Sequence, residues 1–152
     1  VSGPHVNHSK KREEEPLKKR FAILCVVAAL LTAAACGSGS GSKEIKSGKV
    51  GTLTVTIANE EGVLKHGQEE FTVTFKDASG KAVDVGAASL NFYMPPMGTM
   101  PVMNDPATLT TTDAPGVYRA KVNLQMAGEW QAQVAYEGPA GSGKGSFPVT
   151  AQ

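Results

Sequence analysis

From Lys49 onward, apolar and polar residues alternate with a period of two. Leu53, Val55 and Ile57 interleave with Thr52, Thr54 and Thr56, and Phe71, Val73 and Phe75 with Thr72, Thr74 and Lys76. Leu90 and Phe92 continue the pattern, as do Tyr118 to Met126, Trp130 to Tyr136, and Phe147 with Val149. Such alternation marks a strand with one buried and one wet face. β-branched residues are plentiful, and no run sustains a 3.6-residue period. Turn residues separate the runs at Asn59–Gly62, Ser79-Gly80, Asp113–Gly116, Ala127-Gly128 and Gly138–Gly145. Several short strands in about a hundred residues predict an all-β fold, an immunoglobulin-like β-sandwich of about seven strands. Pro148 has no backbone N–H to give a ladder, so the last strand is expected at an edge. The stretch Asp113–Tyr118 reads as a tyrosine corner, the hydroxyl tying its turn to nearby backbone.

The front of the chain breaks the pattern. Lys18-Lys19-Arg20 precedes a fifteen-residue apolar run, Phe21 to Ala35. A basic region, an apolar region and then small residues are the parts of an export signal. Fifteen helical residues span only about 22 Å, short of the roughly 30 Å hydrocarbon core. Ala33-Ala34-Ala35-Cys36 resembles a bacterial lipobox, with Cys36 as the lipidated residue, although Ala33 stands where Leu is usual. Gly37–Ser42 then reads as a flexible Gly/Ser tether. The expected division is residues 1–35 as N-terminal extension and lipoprotein signal, 36–48 as tether, and 49–152 as the β-domain. An ordinary secreted protein and an uncleaved N-terminal anchor remain the other readings of this segment.

Composition narrows the function. The chain has 152 residues and a formal charge of +1, but residues 1–35 hold six of its fifteen Lys/Arg and three of its fourteen Asp/Glu. The remainder is slightly acidic, so no phosphate-binding surface is expected. Aromatic residues make up 6% of the chain, too few for a platform that stacks bases. Cys25 and Cys36 are the only cysteines, and they build neither a disulfide framework nor a zinc knuckle. After Cys36 there is a single histidine, His66, and no recognisable nucleophile–base pair. No enzymatic activity is expected. His66, Glu60-Glu61 and Glu69-Glu70 read as solvated turn residues. Gly138–Lys144 lacks the spacing of a phosphate loop and reads as a hairpin.

One segment carries candidate chemistry. Met94-Pro95-Pro96-Met97-Gly98-Thr99-Met100-Pro101-Val102-Met103 holds four of the five methionines at a strict spacing of three. Proline biases the backbone to polyproline II, with three residues per turn, which predicts Met94, Met97, Met100 and Met103 along one edge. Gly98 is able to break the run and fold the sulfurs toward one another. Gathered thioethers are neutral and soft, a donor set that selects Cu(I). Met97, Met100 and Met103 are the leading ligands, with Met94 and Met126 behind them. Met94 continues the phase of Leu90 and Phe92, and Met126 that of Leu124, so both also read as core. The indole of Trp130 suits a cation–π contact with such an ion, yet its strand phase points it inward.

These residues carry a resemblance. Leu64, Gly67, Phe71-Thr-Val-Thr74, the Met94–Met103 string, Gly116-Val-Tyr118 and Leu124-Gln-Met-Ala-Gly-Glu-Trp130 resemble the FixH/YtkA-like family of bacterial envelope domains. The resemblance implies an immunoglobulin-type sandwich and a copper-handling role outside the cytoplasmic membrane. The partners it implies are an envelope copper transporter, an efflux adaptor or an oxidase-assembly protein. Thr99 stands where a His often follows Met-Gly in relatives, which favours a methionine-only site. The expected protein is therefore an extracytoplasmic lipoprotein, held to a membrane by Cys36, that binds Cu(I) for buffering or transfer and has no nucleic-acid partner. Its rival is a metal-free interaction module whose Met-Pro loop is an apolar contact patch.

Overall fold

A computed structural model describes residues 41–152, together with Gly3. The segment expected to be an export signal, Cys36 as its expected lipidation site and the start of the expected tether lie outside the described residues. Among the described residues no helix is long and apolar enough to cross a membrane.

Among the described residues eight strands form: β1 (Lys43–Val50), β2 (Leu53–Asn59), β3 (Gly67–Lys76), β4 (Ala87–Met94), β5 (Met103–Thr111), β6 (Val117–Leu124), β7 (Gly128–Gly138) and β8 (Gly141–Ala151). They are paired antiparallel in the order β1-β2-β3-β6-β5-β4-β7-β8. The all-β expectation therefore holds. The expected two layers are hydrogen-bonded into one nearly closed sheet, because β5 serves both halves. Its residues Met103–Ala107 pair with β4 and Thr108–Thr111 with β6. The remaining gap lies between β1 and β8, where a Cβ on Gly48 would stand 2.3 Å from the Phe147 ring. Only hydrogen at that position lets the two edges approach so closely. β8 is an end of the strand order, as Pro148 predicted.

Alternation sets the core. Val55, Ile57, Val73, Phe75, Phe92, Ala120 and Trp130 are fully buried or nearly so. Phe71 meets Phe92 edge-on at 6.0 Å, and Phe75 meets Tyr136 at 5.8 Å, so side chains from β3 interlock with those from β4 and β7. Each fully buried side chain of this size contributes about 1.5–3 kcal/mol of transfer free energy.

Three expectations change. Residues 43–48, assigned to the tether, form most of β1. Ile45 is the only large apolar residue there before Val50, so no period-two signal was present, and pairing to β2 supplies the strand. β5 makes an eighth strand, with a weak inward phase of Met103, Asp105, Ala107 and Leu109. Finally, the Tyr118 hydroxyl reaches beyond its own turn. It donates to the Gly86 carbonyl, 32 residues upstream, at 2.8 Å. Burial first, and the nearby Asp84 charge second, raise the Tyr118 pKa above its ordinary value.

Candidate functional site

The methionine run is a β-hairpin rather than a polyproline helix. The Met97 N–H donates to the Met100 carbonyl at 3.2 Å, and the Met100 N–H returns a bond to Met97 at 2.9 Å. Gly98, at φ +59°, and Thr99 are the two loop residues. A positive φ at the first central position and a negative one at the second match a type II′ turn, whose twist suits the flanking strands. Met94 pairs with Met103 at the base of the hairpin, and Met97 with Met100 at the tip. Both pairs share one register. The ladder lapses between them because Pro95, Pro96 and Pro101 have no N–H to give.

The spacing of three thus acquires another meaning. The four methionines are placed symmetrically about Gly98-Thr99, which sets methionine opposite methionine twice. Directly opposite residues share a face of a ladder, whereas an offset of three residues along a strand changes face. The exposures agree with two pairs on two faces. Met94 is 1% exposed, while Met97 is 51% and Met100 36% exposed. Met103 is half-buried against the core. The expected alignment of four methionines along one edge is therefore replaced by an inner pair and an outer pair.

The hairpin base is anchored at the same end of the sheet. The Met94 methyl lies 3.1 Å from where a Cβ on Gly128 would stand. Met126, in the β6–β7 turn, is half-buried, and its carbonyl accepts the Trp130 indole N–H at 3.2 Å. Trp130 itself is fully buried, so its ring belongs to the core and does not cover the exposed pair. Asp105, 6% exposed, fastens β5 to this turn. Its carboxylate accepts from the Gln125 N–H at 2.9 Å and from the Gln125 side-chain amide at 2.6 Å. Sequence reasoning missed Asp105. Its signal was an acid at an inward position of β5, two residues from Met103, with a Pro after it.

Val102, 48% exposed, joins Met97 and Met100 as the exposed large apolar side chains of the described residues. His66 is exposed, and both its backbone N–H and its Nδ1 engage the Gln152 carbonyl, at 2.8 and 3.0 Å. Among the described residues no three His, Cys, Asp or Glu gather as a metal site. What the tip presents is a pair of neutral thioethers. Residues that exchange both backbone bonds across a ladder stand roughly 5.5 Å apart at Cα, which lets two long, flexible methionines close on one soft ion. A hard or borderline cation finds no oxygen or imidazole donor in this pair.

A family model described as YtkA-like matches residues 48–135, more than half of the chain and the whole of the hairpin. Neither the curated proteins nor the solved structures yield a match.

Proposed function

The chain belongs to the YtkA-like family, and on that premise we propose that it is a membrane-anchored, extracytoplasmic domain that binds Cu(I), or Ag(I) in its place, at the β4–β5 hairpin. The observation that carries this reading is the outer pair, two exposed methionines whose backbones pair across a two-residue turn. Met97 and Met100 are the donors. Met103 is the nearest further sulfur along β5, and Met94 and Met126 serve chiefly to pack the base. Two neutral ligands leave the ion's charge uncompensated, so the site suits exchange with a partner more than storage. A thioether has no proton to lose, so binding persists at acid pH where thiol and imidazole sites fail.

The wider setting belongs to the same proposal. Cys36 carries the lipid, the membrane holds the domain, and an envelope transporter, efflux adaptor or oxidase-assembly protein receives or supplies the ion. We read the protein as a binding domain without catalysis, and the two halves that meet at β5 as the layers of an immunoglobulin-like sandwich. Labelling with a radioactive fatty acid should mark the wild type and leave Cys36→Ala unmarked.

The decisive experiment titrates Cu(I) into the full chain and into the Met97→Leu, Met100→Leu double variant. Loss of binding in the variant supports the site, and equal affinity ends it. The same exposed patch with Val102 also favours a second reading, a metal-free contact surface. In that case the leucine variant keeps its partner, because shape and apolarity survive the change.

A further inference from the structure

The four hairpin methionines differ sharply in access while sharing one chemistry. Met97 and Met100 are open to solvent, Met103 is half-buried, and Met94 is sealed in the core. Nothing lies within 4 Å of where a Cβ on Gly98 would stand, and residues 95–102 are all exposed. Two backbone hydrogen bonds and the positive φ of Gly98 shape the turn at this tip. Met97 and Met100 are thus the hairpin methionines most open to a reagent in solvent, and neither belongs to the buried core.

We propose that Met97 and Met100 form a reversible oxidation site, at which peroxide-class oxidants switch off soft-metal binding. In the forward step hydrogen peroxide transfers one oxygen atom to the thioether sulfur. The peroxide O–O bond breaks, an S=O bond forms, the sulfur gives up two electrons, and water leaves. In the reverse step a reductase of the methionine sulfoxide class draws two electrons and two protons from a dithiol and releases the oxygen as water. The sulfoxide presents a hard, polar oxygen where a soft sulfur stood, and Cu(I) and Ag(I) lose the donor they select. The same change makes the apolar tip polar. Met94 is spared because its sulfur meets oxidant only when the core opens. The effect on metal rests on the proposed Cu(I) reading, whereas the ranking of sulfurs rests on exposure alone.

The test treats the full chain with dilute hydrogen peroxide and follows each methionine by peptide mass spectrometry. Ag(I) uptake is measured before oxidation, after it, and after repair with a methionine sulfoxide reductase. Oxidation at least about tenfold faster at Met97 and Met100 than at Met94 is expected, because Met94 must wait for local opening. Ag(I) uptake should fall with the sulfoxide at these two residues and return on repair, with the thermal midpoint unchanged throughout. Oxidation of Met94 at the same rate overturns the proposal, as does selective oxidation that leaves Ag(I) uptake unaltered. If the reduced protein takes up no Ag(I), the copper reading itself fails and the switch with it, a result distinct from loss of selectivity.

Discussion

Strand β4 begins and ends in connections rich in Gly or Pro, and the two behave in opposite ways. The connection before it, Asp77–Gly86, is drawn into the fold. Its Val83 N–H donates to Phe75, its Val85 is fully buried, and its Gly86 carbonyl accepts the Tyr118 hydroxyl. The connection after it, 95–102, is exposed along its length and is held by one reciprocal pair of backbone bonds. Similar residue types thus close the core at one end of β4 and display side chains at the other. The difference lies in what approaches the backbone. At the closed end, a Cβ on Gly116 would stand 2.3 Å from the Val83 carbonyl oxygen, while at the open end Gly98 has empty space around it.

The largest effect should come from testing that contrast directly. Gly116→Val places a branched side chain at φ +75° and drives it into the Val83 backbone. Strain and overpacking together should cost about 3 kcal/mol or more. Gly98→Ala also sits at positive φ, yet it meets no neighbour, and should cost only about 1–2 kcal/mol. Urea midpoints of both variants check the difference, and equal losses would dissolve the distinction between the two connections.

Asp105→Ala probes where the open end stops being open. The substitution leaves the Gln125 backbone N–H without its carboxylate partner and unties β5 from the β6–β7 turn. A lost hydrogen bond to a charged group predicts a cost of about 1.5–3 kcal/mol. Hydrogen exchange should show faster opening at Met103–Ala107 than at Thr108–Thr111, which pair with β6. Uniform loosening along β5 would mean that the anchor does not act locally.

Tyr118→Phe tests the closed end more gently. Removing one hydroxyl takes a hydrogen-bond donor from the Gly86 carbonyl, for about 1 kcal/mol. Its pH dependence is the sharper reading. The folded-state pKa of Tyr118 is raised, so its stabilising contribution is complete below the unfolded value near 10 and is lost as pH climbs through the folded value. Unfolding free energy should therefore fall less steeply above about pH 10 in the phenylalanine variant than in the wild type. Parallel alkaline slopes would show that the hydroxyl is not held neutral by its surroundings.

How far these features were legible follows the same division. The alternation of Leu53–Ile57, Phe71–Phe75 and Trp130–Tyr136 was legible because their inward residues are large and apolar and end up buried. β1 was not legible, since its strand depends on pairing and carries Ile45 alone before Val50. β5 was hidden because its most buried residue is a carboxylate whose partner is 20 residues away. The Tyr118 bond to Gly86 spans 32 residues, beyond any local turn signal. In the methionine run, residue types and the breaking role of Gly98 were legible. The prolines suggested one extended edge, whereas Gly98-Thr99 at the centre of the symmetric methionines encodes a hairpin. Local spacing was common to both conformations, and only the register of β4 against β5 decides between them.

The smallest expected effect on stability belongs to the residues with the largest expected effect on function. Met97 and Met100 project from a tip whose shape comes from backbone bonds and Gly98. Replacing both by Leu removes two sulfurs, keeps apolar bulk, and touches nothing in the core. The unfolding free energy should stay within about 0.5 kcal/mol of the wild type, as for exposed positions generally. By contrast, Met94→Ala would open a cavity beside Gly128 and cost about 2–5 kcal/mol. Measured side by side, the two variants separate a methionine kept for packing from a pair kept for display. If the leucine pair destabilised the protein as much as Met94→Ala, the tip would be part of the core after all. Unchanged stability with lost Cu(I) binding would instead assign the sulfur atoms themselves, and not the hairpin's shape, as what the tip contributes.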